Sequence, residues 1–169
     1  MTLEQPLAVR PPRTLAEAAE AHLDDVFGYL LYLTRDREAA EDLASSTFEK
    51  AVRLWARFDP SRGTARTWLL GIARTTALDW FRAESRRRKR EEAVALPDRV
   101  DEAFVEGLSP ALEAGLSSLS AGEREVLVLR IVLELDGDAT ARVLGISPTA
   151  VSTRLSRALK RLEERVNEG

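Results

Sequence analysis

The chain has little of the side-chain chemistry on which most enzymes and metalloproteins depend. Its 169 residues include no cysteine, one histidine, nine glycines and seven prolines. The absence of cysteine excludes disulfide bonds, thiolate zinc sites and cysteine nucleophiles, and it is compatible with a reducing cytosol. The sequence has neither a glycine-rich phosphate loop nor a spaced set of metal ligands, so nothing in it indicates a catalytic site. We therefore predict a protein that is not an enzyme and that binds no cofactor and no metal.

Long apolar runs are also absent. The apolar stretch at residues 127–135 is interrupted by Arg130 and Glu134, whereas a membrane-spanning helix needs about 20 apolar residues. Residues 1–13 contain three prolines and no apolar core of a signal peptide, so we expect a disordered tail there. These features predict a chain that does not insert into a membrane.

The net charge of −3 conceals an uneven distribution along the chain. Residues 1–90 carry 16 basic and 13 acidic side chains, residues 91–119 carry one and seven, and residues 120–169 carry eight of each. An acidic middle therefore lies beside a basic cluster at residues 86–90, and such local patches bear on nucleic-acid binding more than the total charge does. Leu, Ala, Arg and Glu dominate the composition, which favours an all-α protein.

The C-terminal third has the pattern of a helix-turn-helix, in which the second helix enters the major groove of DNA. Residues 139–144 suit a short helix that Gly145 ends, and Ser147-Pro148 then begins a longer helix with serine as its cap. The apolar stripe of that helix consists of Val151, Leu155, Ala158, Leu159, Leu162 and Val166. Its outward positions are Thr149, Ser152, Thr153, Arg154, Ser156, Arg157, Lys160 and Arg161. Hydroxyls and arginines suit bases and phosphates, although a plain helical hairpin with a solvated polar face fits the same pattern.

Two further helices are predicted before this motif. Ser109-Pro110 caps a helix that ends at about Leu116. Ser120 and Glu123 then have the spacing of a capping box, and apolar residues recur at helical spacing until Asp136-Gly137-Asp138 breaks the helix.

The first half is predicted to contain three amphipathic helices. Apolar spacing indicates the first over Leu15–Leu33, and Asp36 caps a second that ends at about Arg57. Residues 58–63 contain proline and glycine and form a turn. A third helix runs from about Thr64 to beyond Arg82, and its buried side is predicted to consist of Ala65, Trp68, Leu69, Ile72, Ala73, Thr76, Ala77, Trp80 and Phe81.

Arginines recur along this third helix. Arg66, Arg74 and Arg82 are eight residues apart, a spacing that drifts slowly around a helix and predicts a basic stripe. Such a stripe with tryptophans nearby suits nucleic acid, because arginines neutralise phosphates and aromatic faces stack on unpaired bases. The same residues also suit tryptophans in a core and a solvated helix end.

Residues 91–106 differ from both neighbours, with six acids, one arginine and weak periodicity. This composition is typical of a linker. We therefore predict an all-α chain of two small helical domains joined by an acidic linker, the second of them a helix-turn-helix.

The two halves together resemble the extracytoplasmic-function (ECF) class of bacterial sigma factors over about residues 15–165. In the first half the resemblance is carried by Ala40-Glu41-Asp42-Leu43, Thr47-Phe48, Trp55, Phe58-Asp59-Pro60, Trp68-Leu69, Ile72-Ala73-Arg74 and Asp79-Trp80-Phe81-Arg82. In the second half it is carried by Leu119-Ser120, Glu123-Arg124-Glu125-Val126, Leu144-Gly145-Ile146-Ser147-Pro148, Val151, Arg154-Leu155 and Arg157-Ala158. The resemblance implies a tail at residues 1–13, a region 2-like domain at 14–92, a linker at 93–107 and a region 4-like domain at 108–169.

The resemblance also implies a cytoplasmic protein that binds core RNA polymerase and promoter DNA and starts transcription, with an anti-sigma factor as a further partner. The residues implied for polymerase binding are Glu41, Asp42, Leu43, Thr47, Phe48 and Trp55. Those implied for the minus-ten DNA element are Arg62, Arg66, Trp68, Arg74, Thr75, Asp79 and Arg82. Those implied for the minus-thirty-five element are Ser147, Thr149, Ser152, Thr153, Arg154 and Arg157.

Some positions depart from the family pattern. Thr75 stands where asparagine is frequent, and Ser152 stands where lysine is common, which predicts one phosphate contact fewer at the minus-thirty-five element. A LuxR-like regulator shares the helix-turn-helix pattern but lacks the tryptophan- and arginine-containing module before it. If the chain does not bind DNA, the alternative to a sigma factor is a helical adaptor protein.

Overall fold

The computed structural model describes residues 10, 12–91 and 109–168, and within these ranges the chain is helical and contains no strand. The first domain contains the helices α1 (Leu15–Thr34), α2 (Arg37–Leu54) and α3 (Ala65–Glu91), with a 3-10 turn at Trp55–Arg57 after α2. The second contains α4 (Pro110–Ser118), α5 (Ala121–Leu127), α6 (Gly137–Leu144) and α7 (Pro148–Glu168). The all-α, two-domain prediction is confirmed. The expected tail falls largely outside the described residues, and so does the acidic linker apart from Glu91, the last residue of α3.

Short polar signals place most of the helix ends where the sequence predicts them. The Asp36 carboxylate accepts the Ala39 N–H at 3.1 Å and begins α2. Ser120 and Glu123 form both hydrogen bonds of a capping box at the start of α5. Gly145 ends α6 with φ of 65°, a left-handed conformation in which a Cβ would be strained.

The break between α5 and α6 differs from the prediction, which wrongly places it at Asp136-Gly137-Asp138. The helix instead passes into a π-helical turn at Val128–Val132, and the chain reverses at Glu134, which has φ of 54°. The reversal is held by Arg130, whose guanidinium donates to the Leu135 carbonyl. Asp136 therefore begins α6 instead of ending α5, and its carboxylate accepts the Ala139 N–H at 2.7 Å.

The main apolar core continues through both domains, and a smaller cluster of Leu119, Leu127 and Ala158 lies within the second domain. In the first domain α1, α2 and α3 pack against one another, in the second α7 packs against α4, α5 and α6, and α3 packs against α6 across the boundary. Among the fully buried members of this core are Tyr29, Leu30, Leu69 and Leu70 from the first domain and Val126, Leu129 and Val151 from the second. The two domains therefore share buried apolar surface, which stabilises their packing against each other.

Three of the predicted core positions are exposed instead. Phe81 near the end of α3 is 39% exposed, while its neighbour Trp80 packs against the core. Leu159 and Val166 on α7 are 45% and 47% exposed.

The capping box gives the second domain a pH dependence. Glu123 accepts the Ser120 N–H and an Arg161 N–H, both at 2.9 Å, and the backbone hydrogen bond lowers the pKa of Glu123 below its ordinary value of 4.5. A carboxyl group whose pKa is lower in the folded than in the unfolded state stabilises the fold at pH values above its ordinary pKa. This contribution is lost as the pH falls through the folded-state pKa. We expect Glu123→Gln to be less stable than wild type at pH 7 and equally stable near pH 2. Urea unfolding at both pH values measures this, and a difference that stays constant with pH would contradict it.

Candidate functional site

The residues implied for polymerase binding divide between the surface and the core of α2. Glu41 and Asp42 are exposed, and Arg37 holds Glu41 with an ion pair of 3.1 Å. Leu43 and Thr47 are buried, so they support the helix and offer few atoms to a partner in this arrangement. The two aromatic members of the set, Phe48 and Trp55, are partly buried against the core.

Three aromatic rings fix the loop that enters α3. Trp55 stacks on Phe58 with ring centroids 4.9 Å apart, and Trp68 meets both rings at 5.7 and 5.4 Å. Trp68, implied for minus-ten DNA, therefore also holds in place the loop of residues 58–64. Aromatic pairs at these distances favour tilted and edge-on arrangements and rigidify the surface around them.

A cleft of about 380 Å³ lies beside this loop. From the first domain it is lined by cationic, hydroxyl and aromatic groups and by one carboxylate, and from α6 by one arginine. Its polar and aromatic lining consists of Arg57, Phe58, Asp59, Arg62, Thr64, Thr67, Trp68, Thr75 and Arg142. Cations bind phosphate groups, hydroxyls form hydrogen bonds with base edges, and aromatic rings stack on unpaired bases. The lining therefore fits a single-stranded nucleotide.

The predicted basic stripe of α3 is not continuous at the surface. Arg66 donates from Nε to Asp25 at 2.6 Å and from Nη2 to the Leu133 carbonyl of the second domain. Arg74 donates from Nε to Glu125 of α5 at 2.7 Å. Both arginines therefore take part in the contact between the domains. Of Arg66, Arg74 and Arg82, only Arg82 is largely exposed.

The contact at Glu125 also includes a phenol. Tyr29 of α1 donates its hydroxyl proton to Glu125 at 2.6 Å, and burial together with the Glu125 carboxylate raises the pKa of Tyr29 well above its ordinary value. Burial by itself lowers the pKa of Arg74. The hydrogen bond and the negative charge of Glu125 outweigh this effect, so the pKa of Arg74 is raised. The phenol stays protonated and the arginine charged, so both donate to one carboxylate.

The remaining minus-ten residues face solvent. Arg62 is 88% exposed and lies 3.9 Å from Asp59, and Thr75 is exposed with its hydroxyl donating to the Gly71 carbonyl at 3.0 Å. Asp79 pairs with Arg82 at 3.2 Å and lies 3.9 Å from Lys50. The exposed part of this surface therefore carries the Arg62–Asp59 pair at one end and the Asp79 carboxylate between Arg82 and Lys50 at the other.

The recognition helix α7 presents the polar face that the sequence predicts. Val151 and Ala158 are buried on its inner side, while the exposed members of the minus-thirty-five set are Ser147, Thr149, Ser152, Thr153 and Arg157. The Ser147 side chain accepts the Ala150 N–H at 3.1 Å and begins the helix.

Arg154 is the exception in this set, because it is only partly exposed. Its guanidinium lies against Gly122 at the start of α5, where a Cβ would be 3.4 Å from Nη1. The side chain therefore crosses from α7 towards α5 at the edge of the polar face.

Sequence reasoning did not predict which residues of the second domain contact the first. It also did not predict the roles of Tyr29 and Asp25 of α1, which bind Glu125 and Arg66 at this contact. Tyr29 and Glu125 are separated by 96 residues in the chain, and no local pattern predicts such a pair. Arg142 also escaped notice, although its guanidinium reaches the loop of the first domain, 3.1 Å from where a Cβ on Gly63 would lie. A basic residue on the outward side of α6 was the only local signal available.

Two further features bear on the kind of protein. No helix in the described part of the chain is both long enough and apolar enough to span a bilayer. Within residues 10, 12–91 and 109–168, no cluster of three or more His, Asp or Glu side chains is arranged to hold a metal ion.

Two family matches cover the two domains. Residues 18–87 match sigma-70 region 2, and residues 109–162 match sigma-70 region 4. The first match covers α1 to α3 and the second covers α4 to most of α7, so the boundaries of the matches follow the two helical domains.

Full-length sigma factors are similar over nearly the whole chain. The ECF RNA polymerase sigma factor SigC of Mycobacterium tuberculosis is 32% identical over 150 residues, which cover 86% of this chain and 80% of SigC. The ECF sigma factor SigM of Bacillus subtilis is 28% identical over 165 residues, which cover 92% of this chain and 97% of SigM.

A solved structure shares the fold. The sigma factor RpoE of Bartonella quintana, in complex with the anti-sigma factor NepR, superposes with a TM-score of 0.73 at 23% identity and covers 90% of this chain and 96% of RpoE. The resemblance found from sequence motifs is thereby confirmed: the chain belongs to the extracytoplasmic-function sigma factors of the sigma-70 family.

Proposed function

We propose that the chain binds core RNA polymerase through the exposed face of α2 and directs it to promoters by contacting two DNA elements. The loop before α3 and the exposed side of α3 bind the minus-ten element, and the polar face of α7 binds the minus-thirty-five element. The observation that carries this proposal is the pairing of a region 2 domain with a region 4 domain whose last helix, α7, exposes hydroxyls in its first two turns and Arg157 after them. Hydroxyls and arginines near a helix N-terminus suit base edges and phosphates in a major groove.

The proposal is tested by letting the protein choose its own DNA. Purified core polymerase is mixed with the chain, the complex is isolated by size exclusion, and it selects from a library of random duplex DNA. We expect co-elution with polymerase and enrichment of two conserved blocks at a fixed spacing. Co-elution without any enriched block, or no co-elution, would contradict the proposal.

A LuxR-like regulator is not favoured, because the region 2 match occupies residues 18–87 of the first domain. The same match argues against a helical adaptor that does not bind DNA. Sigma factors are not in general enzymes, and we propose that this chain has no catalytic activity of its own. Because its proposed partners, polymerase and promoter DNA, lie in the bacterial cytoplasm, we place it there too.

We also propose that an anti-sigma factor holds the chain inactive. RpoE is in complex with the anti-sigma factor NepR in its solved structure. CnrH, which superposes with a TM-score of 0.65 at 23% identity, is in complex with the cytosolic domain of CnrY. The chain itself has no cysteine with which to sense oxidation. A cognate inhibitor should co-purify with the tagged protein from unstressed native cells.

Asp42 tests the polymerase-binding face. It is exposed on α2, so a lysine fits there without disturbing the buried Leu43. We expect Asp42→Lys to weaken binding to core polymerase by roughly tenfold or more, because it reverses the charge within the proposed interface and lengthens the side chain there. Fluorescence anisotropy with labelled protein measures the affinity, and thermal melting verifies the fold. Glu20→Lys, at an exposed site on α1, is the matched control. Equal affinity of the two variants would exclude Asp42 from the interface.

A further inference from the structure

A second cleft adjoins the one that lies beside the loop of residues 58–64. Its volume is about 550 Å³, and its lining consists of Arg10, Pro12, Arg13, Trp55, Phe58 and Pro60. Phe58 lines the first cleft as well, so the two clefts share this ring as a wall. Of the residues implied for DNA or polymerase binding, only Trp55 lines the second cleft, so most of its lining has no assigned role.

The second cleft is cationic. Its described lining contains the guanidinium groups of Arg10 and Arg13, both of which are exposed, and no carboxylate. The acid of the adjoining loop, Asp59, lines the first cleft and accepts hydrogen bonds from the Ser61 N–H at 2.9 Å and the Ser61 hydroxyl at 2.6 Å. The second cleft therefore presents two positive charges that suit the phosphate groups of a nucleic acid.

Aromatic rings form the wall opposite in character to these cations. Trp55 and Phe58 are half-buried and stack with ring centroids 4.9 Å apart and an angle of 23° between the rings. Trp68, which lines the first cleft, supports both rings at 5.7 and 5.4 Å. Supported aromatic rings beside arginines are the combination that binds an unpaired nucleotide, because the base stacks on a ring while the phosphate pairs with a cation.

The segment that supplies the arginines is held by the cap of α1. The Arg13 N–H donates to the Glu17 carboxylate at 2.7 Å, and the Thr14 hydroxyl accepts the Glu17 N–H at 3.2 Å. These bonds fix the backbone from which the Arg13 side chain extends, so less conformational freedom is lost when it binds a phosphate. The sigma-70 region 2 match begins at residue 18, so Arg10 and Arg13 lie outside the part of the chain that this match covers.

We propose that the second cleft is a further nucleotide subsite, which binds the neighbour of the nucleotide in the first cleft on the same single strand of the minus-ten element. The base stacks on the rings of Trp55 and Phe58, and the phosphate is bound by Arg10 and Arg13. This inference rests on the proposed function, since it extends the minus-ten surface. Trp55 also belongs to the set implied for polymerase binding, so the test separates a strand of DNA from the polymerase as the occupant.

The test replaces both arginines in the full-length chain. The double variant Arg10→Ala, Arg13→Ala removes two positive charges but keeps the aromatic rings and the cap of α1, whose hydrogen bond uses the Arg13 backbone. Arg53→Ala is the matched control, because Arg53 is exposed on α2 and lines neither cleft. Thermal melting establishes that each variant is folded.

Binding of each variant, assembled with core polymerase, is measured with the labelled single strand of the selected minus-ten block. A phosphate contact on a single strand contributes about 0.7 to the slope of log affinity against log salt, so the double variant should lose about 1.4 from this slope. The advantage of wild type should therefore shrink about sevenfold between about 50 and about 200 mM salt. A slope equal to that of wild type and Arg53→Ala would overturn the proposal. A loss of affinity for core polymerase with an unchanged slope would overturn it too, and would assign the cleft to the polymerase.

The path of the strand is measured by photo-crosslinking in the same complex. 5-Iodouracil replaces one base of the strand at a time, and mass spectrometry identifies the crosslinked residue. We expect one position to crosslink to Trp68 and the neighbouring position to Trp55, with a weaker Trp55 crosslink in the double variant. Crosslinks to Trp68 without any to Trp55 would overturn the second subsite.

Failure of the proposed function gives a different result. If no promoter is selected, the salt slope is measured on the free chain with single-stranded polythymidylate as the probe. A smaller slope for the double variant than for Arg53→Ala would then support binding of single-stranded DNA by Arg10 and Arg13, and equal slopes would overturn it.

Discussion

Replacing Arg154 with alanine is expected to lower the affinity for the minus-thirty-five duplex by about 1–3 kcal/mol, or about 5- to 150-fold, and to relax base preference at one position. Arg154 lies at the edge of the polar face of α7, nearly two turns beyond Ser147-Pro148, in the N-terminal half of the helix, where the residues of a recognition helix contact base edges. Its guanidinium lies against the start of α5, so it approaches the groove from a fixed direction. A fixed arginine loses less conformational freedom on binding than a mobile one.

The measurement compares binding to the selected duplex and to single-base variants of it. Arg165→Ala is the matched control, because Arg165 is exposed near the end of the same helix and pairs with Glu168 at 3.6 Å. Equal weakening across all duplexes would make Arg154 a phosphate contact and remove it from base recognition. No weakening on any duplex, in a variant that melts like wild type, would remove it from the interface.

Replacing Leu69 with alanine is expected to lower the free energy of unfolding by about 2–5 kcal/mol. Leu69 is fully buried in the second turn of α3, in the core that joins both domains. Truncation leaves a cavity that the surrounding helices fill only in part, because close-packed interiors relax little. A loss of this size is a large fraction of the 5–15 kcal/mol that typically stabilises a domain.

Urea unfolding followed by circular dichroism measures this loss. Leu159→Ala removes the same atoms from a side chain that is 45% exposed, and it should cost much less. Since one core continues through both domains, the wild type should unfold in a single transition. Equal losses for the two variants would show that Leu69 is not part of a close-packed core.

The helix ends could be predicted from sequence because they depend on near neighbours. Asp36, Ser120, Ser147 and Gly145 each act on backbone groups within a few residues, so their positions in the chain are sufficient. The break after α5 was misplaced because part of its cause is not local. Leu133 and Leu135 are buried in the core shared by both domains, and Arg66, 67 residues away, donates to the Leu133 carbonyl.

The basic stripe of α3 shows the same limit at the candidate site. The eight-residue spacing of its arginines is a local property, but Asp25 is 41 residues from Arg66 and Glu125 is 51 residues from Arg74. Only the tertiary structure shows that these carboxylates take up two of the three cations. The exposed polar face of α7 was predictable, because the buried seam of Val151 and Ala158 recurs at helical spacing.

The acidic linker remains a prediction, because residues 92–108 lie outside the described part of the chain. Its six acids at residues 91–106 suit an electropositive nucleic-acid cleft in the polymerase. Shuffling this segment at constant composition should then preserve transcription.

Transcription reconstituted from purified components tests the central claim most directly. Core polymerase, the chain and a linear template that carries the selected promoter are combined, with a template of scrambled promoter blocks as the control. We predict transcripts from one start site downstream of the intact promoter, present only when the chain is added. A complex that binds polymerase but starts no transcript, or starts equally on the scrambled template, would contradict the assignment as a promoter-specific sigma factor.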